Sequence, residues 1–115
     1  MIIKRGDIVL VSLDPVLGSE QGKTRPCLIV QNDIGNQYSS NTIVVPLTSV
    51  LPDKNYPTVV VIQRGEAGLP KDSAILCTQI RTISKDHRIV SKLGSLKQAQ
   101  MKQVNHALKV SLALD

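Results

Sequence analysis

The sequence predicts a mainly β domain that ends in one α-helix. Five short runs of apolar and β-branched residues are separated by segments rich in glycine, proline, asparagine and aspartate. Only the C-terminal segment has apolar residues at helical spacing. The 115 residues suit a single domain, residues 1–115, with its own hydrophobic core. We therefore expect a small, strongly curved β-barrel with a terminal helix.

The apolar runs give five expected strands. They are Ile8–Leu13, Cys27–Val30, Ile43–Leu47, Thr58–Ile62 and Ala74–Ile80. The turn-forming segments are Asp14–Pro15, Gly18–Thr24, Asp33–Asn41, Leu51–Pro57 and Gly65–Asp72. Pro46 lies inside the third run and has no backbone N–H to give to a neighbouring strand, so we expect a bulge or a sheet edge near it.

The C-terminal helix is expected over about Leu96–Leu114. Ser95 followed by Gln98 has the spacing of a capping box, which marks a helix start. The apolar positions that then recur every three or four residues are Met101, Val104, Leu108 and Leu112. This stripe is expected to pack on the sheet or on a second subunit rather than to bind a ligand.

The chain is basic. It has 14 Lys and Arg against 9 Asp and Glu, which gives a net charge of +5 and favours a polyanionic or acidic partner. Between Arg81 and Lys109, seven basic residues face only Asp86, either as a solvated surface or as a binding surface. With two Tyr, no Phe and no Trp, the chain lacks the rings that RRM-like modules use to stack bases.

The two cysteines, Cys27 and Cys77, lie among strand-like apolar residues, so we expect buried thiols rather than a disulfide, as in a reducing cytoplasm. Neither an apolar signal region nor a run of roughly 18 apolar residues occurs, so we expect a soluble protein with no membrane partner. His87 and His106 each lie apart from other ligand types, which argues against a zinc or calcium site. We expect no metal and no cofactor.

Residues 18–30, GSEQGKTRPCLIV, resemble a P-loop only superficially. Three residues, not four, separate the glycines. Arg25 and Pro26 then lead into a branched run that is typical of a strand, whereas a P-loop leads into a helix. The segment is better interpreted as a loop that ends in an arginine at the start of a strand.

Polar residues cluster at the ends of three expected strands. They are Ser19, Glu20, Gln21, Lys23 and Arg25, then Thr48 and Ser49, and then Gln79 and Arg81. An arginine held against a rigid proline offers a planar fork to phosphate oxygens, and a threonine hydroxyl adds another donor. Any one of these residues could serve only a turn or a cap. Together they predict a site that stabilises an oxyanion.

Three segments carry a family resemblance. GDIVLVSLDPVLGSEQGKTRPCLIVQND (6–33), VVPLTS (44–49) and TQIRTI (78–83) resemble the MazF/PemK/Kid toxins of toxin–antitoxin systems. The resemblance implies an SH3-like barrel of the CcdB/Kid/MazF type and a homodimer. It further implies a metal-independent endoribonuclease, or mRNA interferase, that cuts single-stranded RNA and is blocked by a cognate antitoxin, expected here to be acidic. In this family the ribose 2′-OH attacks the adjacent phosphorus and leaves a 2′,3′-cyclic phosphate and a 5′-OH.

The resemblance also implies roles for single residues. Arg25 would stabilise the pentacoordinate phosphate, Thr48 would hydrogen-bond it, and Glu20 would be the general base or would orient Arg25. Ser19, Gln21 and Gln79 would line the groove that recognises the bases. Lys23, Ser49 and Arg81, from the cluster of polar residues at strand ends, are the other candidates for RNA binding. Some relatives have an acidic residue where this chain has Thr78, so the group that accepts the 2′-OH proton stays open.

Two other functions remain at this stage. A topoisomerase poison of the CcdB type would share the fold, but that resemblance predicts a Trp near the C-terminus and this chain has none. A non-catalytic nucleic-acid-binding barrel would need only the charge, and would make the order of Glu20, Arg25 and Thr48 accidental.

Overall fold

The computed structural model describes residues 1–14, 18 and 23–115. The strands in this part of the chain are β1 (Asp7–Ser12), β2 (Thr24–Ile29), β3 (Asn41–Thr48), β4 (Val59–Ile62), β5 (Ser73–Leu76), β6 (Arg81–Ser84) and β7 (Ile89–Ser95). The helices are α1 (Asp33–Tyr38), α2 (Lys85–Arg88) and α3 (Gln98–Leu112), with a 3-10 turn at Glu66–Gly68. The expected mainly β fold with a C-terminal helix is confirmed.

The strands form antiparallel pairs in the order β4-β5-β3-β2-β1-β7, and β6 also pairs with β3. Along one edge, β3 pairs with β6 from Asn41 to Val44 and then with β5 at Leu47 and Thr48. Its other edge pairs with β2. Strand β3 therefore belongs to a larger sheet, β6-β3-β2-β1-β7, and to a smaller one, β4-β5-β3.

The small β-barrel expected from the sequence is open in this structure. Among the pairings found in residues 1–14 and 23–115, β6 and β7 do not hydrogen-bond to each other as strands. Helix α2, a single turn, connects β6 to β7.

Pro46 lies in the interior of the sheet, so the expected sheet edge is wrong. The N–H groups of Val30 and Gln31 both donate to the carbonyl of Ile43, which faces β2. By alternation along the strand, the nitrogen of Pro46 faces the opposite edge. There β6 has ended at Val44 and β5 begins at Leu47, so the missing N–H falls in a gap between two partners.

The patterns in the sequence did not predict β6, β7, α1 or α2. The fifth apolar run ends at Leu76, whose carbonyl accepts the N–H of Gln79 at 3.1 Å and closes a turn before β6. Strand β7 alternates half-buried and exposed residues and so has no apolar run. Helix α1 lies in an expected turn segment, where Asn32 Oδ1 accepts the N–H of Gly35 at 2.8 Å and caps it.

Two hydrophobic clusters lie on opposite faces of the larger sheet. The cluster under α3 and the smaller sheet is built from Ile8, Leu28, Val45, Leu47, Val60, Ile62, Leu69, Ile75, Cys77, Leu96, Val104 and Ala107. The cluster on the other face contains Ile3, Val9, Val11, Leu13, Cys27, Ile29, Val44 and Ile83. Since neighbours such as Ile8 and Val9 enter opposite clusters, β1 and β2 are apolar on both faces, which explains their continuous apolar runs.

Helix α3 begins two residues later than expected. Lys97 N–H donates to Gln100 Oε1 at 2.8 Å at the helix start, whereas Ser95 donates its hydroxyl to the buried carboxylate of Asp7 at 2.7 Å. The expected capping pair of Ser95 and Gln98 is therefore wrong, because the Ser95 hydroxyl hydrogen-bonds to Asp7 and does not cap the helix.

The apolar stripe of α3 is confirmed in its first three positions. Val104 is buried, and Met101 and Leu108 pack partly buried against the cluster beneath the helix. Leu112 is 53% exposed, so the stripe ends before it. No helix in the described residues has the length and apolarity needed to cross a bilayer.

The 3-10 turn and β7 approach each other through two glycines. A Cβ on Gly68 would lie 2.0 Å from the carbonyl oxygen of Leu93, and one on Gly94 would lie 2.5 Å from the backbone of Ala67. Gly68 also has φ +74. This close backbone contact fixes the segment that leads into β5.

We predict that Gly68→Ala destabilises the protein much more than Gly65→Ala. Both residues have a positive φ, but a Cβ on Gly65 would meet nothing within 4 Å. The Gly65 variant should lose only the left-handed backbone penalty of about 1–2 kcal/mol, and the Gly68 variant should lose several kcal/mol because backbone must move. Urea denaturation of the two variants measures the difference, and equal losses would contradict the close contact.

Candidate functional site

A groove of about 360 Å³ lies where three segments meet: the start of β2, the end of β3 and the loop before β5. Its lining residues are Lys23, Thr24, Arg25, Pro26, Leu47, Thr48, Ser49, Leu69, Pro70, Lys71 and Ser73. Three of them are cationic, and none of the described lining residues is acidic. Such a groove favours an anionic ligand.

Arg25 and Thr48 lie just beyond the point where β2 and β3 stop pairing. Cys27 with Pro46 is the last pair in this direction, and Arg25 and Thr48 each lie two residues further along their strands. Their side chains share a face of the sheet, since residues two apart on a strand point the same way. Both residues line the groove.

Thr48 is held firmly. It is 9% exposed and pairs with Ala74 of β5. Its Oγ1 accepts the N–H of Val50 at 3.2 Å, which leaves the hydroxyl proton to be donated to a ligand in the groove. Ser49, the next residue, is exposed at the groove rim.

Arg25 is half-buried, and its neighbour Cys27 reports the local charge. Burial raises the pKa of the Cys27 thiol to about 12, while the positive charges of Arg81 and Arg25 oppose the rise. Both guanidinium groups therefore lie near this thiol. Cys77 has its pKa raised to about 11 by burial alone. Both cysteines are free and buried, as expected, and both are protonated at neutral pH.

The two ends of the connection between β1 and β2 are anchored. Leu13 N–H donates to the Lys23 carbonyl at 2.8 Å, and Lys23 N–H donates to Asp14 Oδ1 at 2.7 Å. Lys23 itself has a left-handed φ of 61. These bonds fix the chain immediately before Arg25.

Two arginines from the other end of the sequence reinforce this anchor. Arg81 Nη1 donates to the Leu13 carbonyl at 2.7 Å. Arg88 Nη1 donates to the carbonyls of Ser12 at 3.0 Å and Asp14 at 2.6 Å. Three successive carbonyls at the end of β1 thus accept hydrogen bonds from charged donors. Sequence reasoning missed Arg88, because nothing local marks a residue that acts 74 positions away.

The structure gathers four of the nine residues singled out from the sequence. Lys23, Arg25, Thr48 and Ser49 line the groove. Gln79 lies half-buried in the turn after β5, and Arg81 contacts the Leu13 carbonyl, so neither is among the described lining residues. Ser19, Glu20 and Gln21, which the sequence also singled out, lie outside the described residues. Lys71 lines the groove and was missed, since it follows a proline in an ordinary turn segment.

A larger depression of about 580 Å³ lies between the β3–β4 loop, β4 and α3, and contains Tyr56, Lys102 and His106. None of the nine residues lines it, and its tyrosine, lysine and histidine lie in a loop and in α3 rather than on paired strands. The smaller groove is therefore the better candidate site. His87 and His106 are exposed, and within residues 1–14 and 23–115 no three His, Cys, Asp or Glu side chains converge as metal ligands do.

The thiols should be unreactive in the folded protein. Because burial raises the pKa of Cys27 to about 12 and that of Cys77 to about 11, almost no thiolate exists at pH 8. We predict no modification by iodoacetamide under native conditions and two modifications in urea, counted by mass spectrometry. Rapid native labelling of either cysteine would contradict the burial.

Arg88→Ala should loosen the anchor beside Arg25. The variant removes the charged donor that binds the carbonyls of Ser12 and Asp14. We therefore expect faster hydrogen exchange at the amides of Leu13 and Lys23. The free energy of unfolding should fall by about 1–3 kcal/mol. His87→Ala changes an exposed residue of the same helix turn and is the matched control. Unchanged exchange at both amides in the Arg88 variant would show that the anchor does not need this arginine.

Comparison with known proteins agrees with this geometry. A family model described as "PemK-like, MazF-like toxin of type II toxin-antitoxin system" matches residues 4–112. Endoribonuclease EndoA of Bacillus subtilis (strain 168) is 46% identical over 114 residues, covering 99% of this chain and 97% of the relative.

Two solved structures have the same fold. An endoribonuclease in complex with its cognate antitoxin from a mycobacterial species is 26% identical, with a TM-score of 0.79 and coverage of 98% and 97% of the two chains. MazF from Deinococcus radiodurans reaches a TM-score of 0.83 at 23% identity, covering 99% of each chain, and supports the fold alone. From the matched family model and the near full-length similarity to EndoA, the chain belongs to the PemK-like, MazF-like toxin family of type II toxin–antitoxin systems.

Proposed function

We propose that the chain, as a single toxin domain, is an endoribonuclease that cuts single-stranded RNA in the groove between β2 and β3. The observation that carries this proposal is that Arg25 and Thr48 line one groove, in which every charged residue of the described lining is cationic. Its relatives carry the name endoribonuclease. A topoisomerase poison is not favoured, because the relatives at this level of identity are named for RNA cleavage.

The reaction proposed is an internal transesterification. The ribose 2′-oxygen forms a bond to the adjacent phosphorus and loses its proton to a base, while the bond to the 5′-oxygen breaks and that oxygen gains a proton. The products are a 2′,3′-cyclic phosphate and a 5′-OH. Since the nucleophile belongs to the RNA, no metal-bound water is needed.

Arg25 and Thr48 would act on the phosphate. The Arg25 guanidinium would neutralise the extra negative charge of the pentacoordinate phosphorus, and the Thr48 hydroxyl would donate to one of its oxygens. A donor of this kind is worth about 3 kcal/mol in the transition state, roughly a hundredfold or more in rate. The half-buried position of Arg25 strengthens this effect, because less water screens its charge.

A side chain must also accept the proton of the 2′-OH. Glu20 is the candidate base, or else the residue that orients Arg25, and Thr78 replaces the acidic residue that some relatives use. An arginine is a poor base at its ordinary pKa. The bases of the RNA would be contacted by Ser19, Gln21 and Gln79, and the backbone by Lys23 and Ser49. Because Arg81 donates to the Leu13 carbonyl, we propose that it stabilises the backbone next to the RNA site.

The partners follow from charge and from the relatives. A net charge of +5 suits both RNA and an acidic antitoxin that folds on binding. One similar endoribonuclease was solved with its cognate antitoxin. We propose a homodimer that works in the cytoplasm on mRNA, neutralised by such a partner.

The purified protein should cut a mixed single-stranded RNA in the presence of EDTA and leave 5′-OH ends. Arg25→Ala should keep the thermal midpoint of the wild type and lose at least about a hundredfold in rate. Lys54→Ala, at an exposed lysine outside the groove, is the matched control and should cut normally. Kinase labelling of the fragments detects the 5′-OH ends.

Cutting that depends on added Mg²⁺, or an active Arg25→Ala protein, would refute the mechanism. Trapped DNA breaks with intact RNA would indicate a topoisomerase poison. A salt-sensitive shift of RNA without new ends would indicate a simple binder.

The nucleophile can be tested on the RNA itself. Primer extension on a long RNA maps the cut, and a second RNA carries one 2′-deoxy sugar at the mapped position. We expect this RNA to bind and to stay whole, because the attacking hydroxyl is gone. Cleavage at the deoxy position would show that another nucleophile is used.

A further inference from the structure

The cleavage groove continues into a second, shallower groove. The second groove, of about 620 Å³, is lined by Arg64, Pro70, Lys71 and Asp72. Pro70 and Lys71 also line the cleavage groove. They form a low ridge between the two, so a chain that leaves the first groove on this side enters the second.

We propose that the RNA leaves the cleavage groove across the Pro70–Lys71 ridge, and that Lys71 and Arg64 bind phosphates of nucleotides that flank the cut. This inference rests on the proposed endoribonuclease function. A groove of about 360 Å³ is near the lower size limit of ligand sites, whereas an RNA chain extends on both sides of the phosphate that is cut. The strand must therefore pass over one of the groove walls.

The ridge is a rigid wall. Gly65 N–H donates to the Leu69 carbonyl at 2.8 Å, and Ser73 Oγ donates to the Lys71 carbonyl at 2.9 Å. Leu69 is 2% exposed and anchors the ridge in the hydrophobic cluster under α3. Because these bonds exist before RNA arrives, ordering the ridge adds little cost to binding.

The charges along this path suit phosphates. Lys71 and Arg64 are both exposed, and neither forms an ion pair within the described part of the chain. Among the described residues, Asp72 is the one carboxylate that lines the second groove, and its Oδ1 already accepts the backbone N–H of Arg64 at 2.7 Å. The second groove therefore keeps a net positive charge that continues the charge of Lys23 and Arg25.

The second groove should not read bases. The four residues that line it in the described part of the chain include no aromatic ring on which a base could stack. Contacts from lysine and arginine to phosphate carry no sequence information by themselves. The flanking contact should therefore raise affinity for every sequence by a similar factor and leave the choice of cut site unchanged.

The test uses Lys71→Ala, Arg64→Ala and the double variant, with Lys54→Ala as the matched control. All are changes at exposed side chains, and equal urea midpoints check that each variant folds. Binding is measured with RNA blocked at the cut by a 2′-deoxy sugar, and cleavage with the all-ribose RNA. Each RNA is used at full length and truncated next to the cut on its 5′ side or its 3′ side.

On full-length RNA, we expect each groove variant to weaken binding by about threefold to tenfold and to flatten the plot of log affinity against log salt by about 0.7 per lost contact. KM should rise while kcat stays at the wild-type value. On one of the two truncated RNAs, the variants and the wild type should bind equally, which identifies the flank that crosses the ridge.

Several outcomes would overturn the inference. One is an equal loss on both truncated RNAs, and another is an equal loss in Lys54→Ala. A third is unchanged RNA binding with weakened binding of poly-glutamate, which would assign the ridge to an acidic protein partner. If the wild type cuts RNA but the groove variants match it throughout, only this inference fails. If the wild type cuts no RNA, the proposed function fails instead.

Discussion

Strand β3 pairs with β2 along one edge and with β6 and then β5 along the other, and the groove depends on the point where these partners change. Pairing with β2 runs to Pro46, and pairing with β5 begins at Leu47. Beyond this point β3 keeps its partner on one side only. Arg25 and Thr48 lie just beyond the last pair of β2 with β3, and both line the groove. Backbone pairing up to that point positions the two strands, and so determines where these side chains can lie.

Charged donors hold the rest of the site from outside. Arg81 and Arg88 bind successive carbonyls at the end of β1, and Asp7 holds β7 through Ser95 and an ion pair with Lys92 at 3.2 Å. A hydrogen bond from a charged donor is worth more than one between neutral groups. The cationic character of the chain therefore has two separate uses. Some guanidinium groups face the groove, and others stabilise the backbone that carries it.

The sequence predicted the elements whose signal is local. Apolar runs located β1 to β5, helical spacing located α3, and the polar residues at strand ends pointed to Arg25 and Thr48. The errors have physical causes. Strand β7 has no apolar run because both of its faces are partly exposed. Ser95 has the right spacing for a cap, but a buried carboxylate binds it instead.

Contacts across the fold were beyond sequence reasoning. Arg88 meets Ser12 across 76 positions, and Lys71 enters the groove only because a glycine contact with β7 fixes the loop before β5. No periodicity or motif marks either residue. The sequence did not predict the open sheet for a similar reason, since the one-turn helix between β6 and β7 is too short to leave a recognisable pattern.

Arg81 and Arg88 lie far from the groove residues in the sequence, yet both donate to carbonyls next to the anchor at Lys23. A substitution at either arginine would therefore disturb the backbone that precedes Arg25 without removing a side chain that lines the groove. A variant at either position that has lost its activity is thus no proof of a direct contact with the ligand. Distant and local causes of inactivity are separated only when the stability of each variant is measured beside its rate.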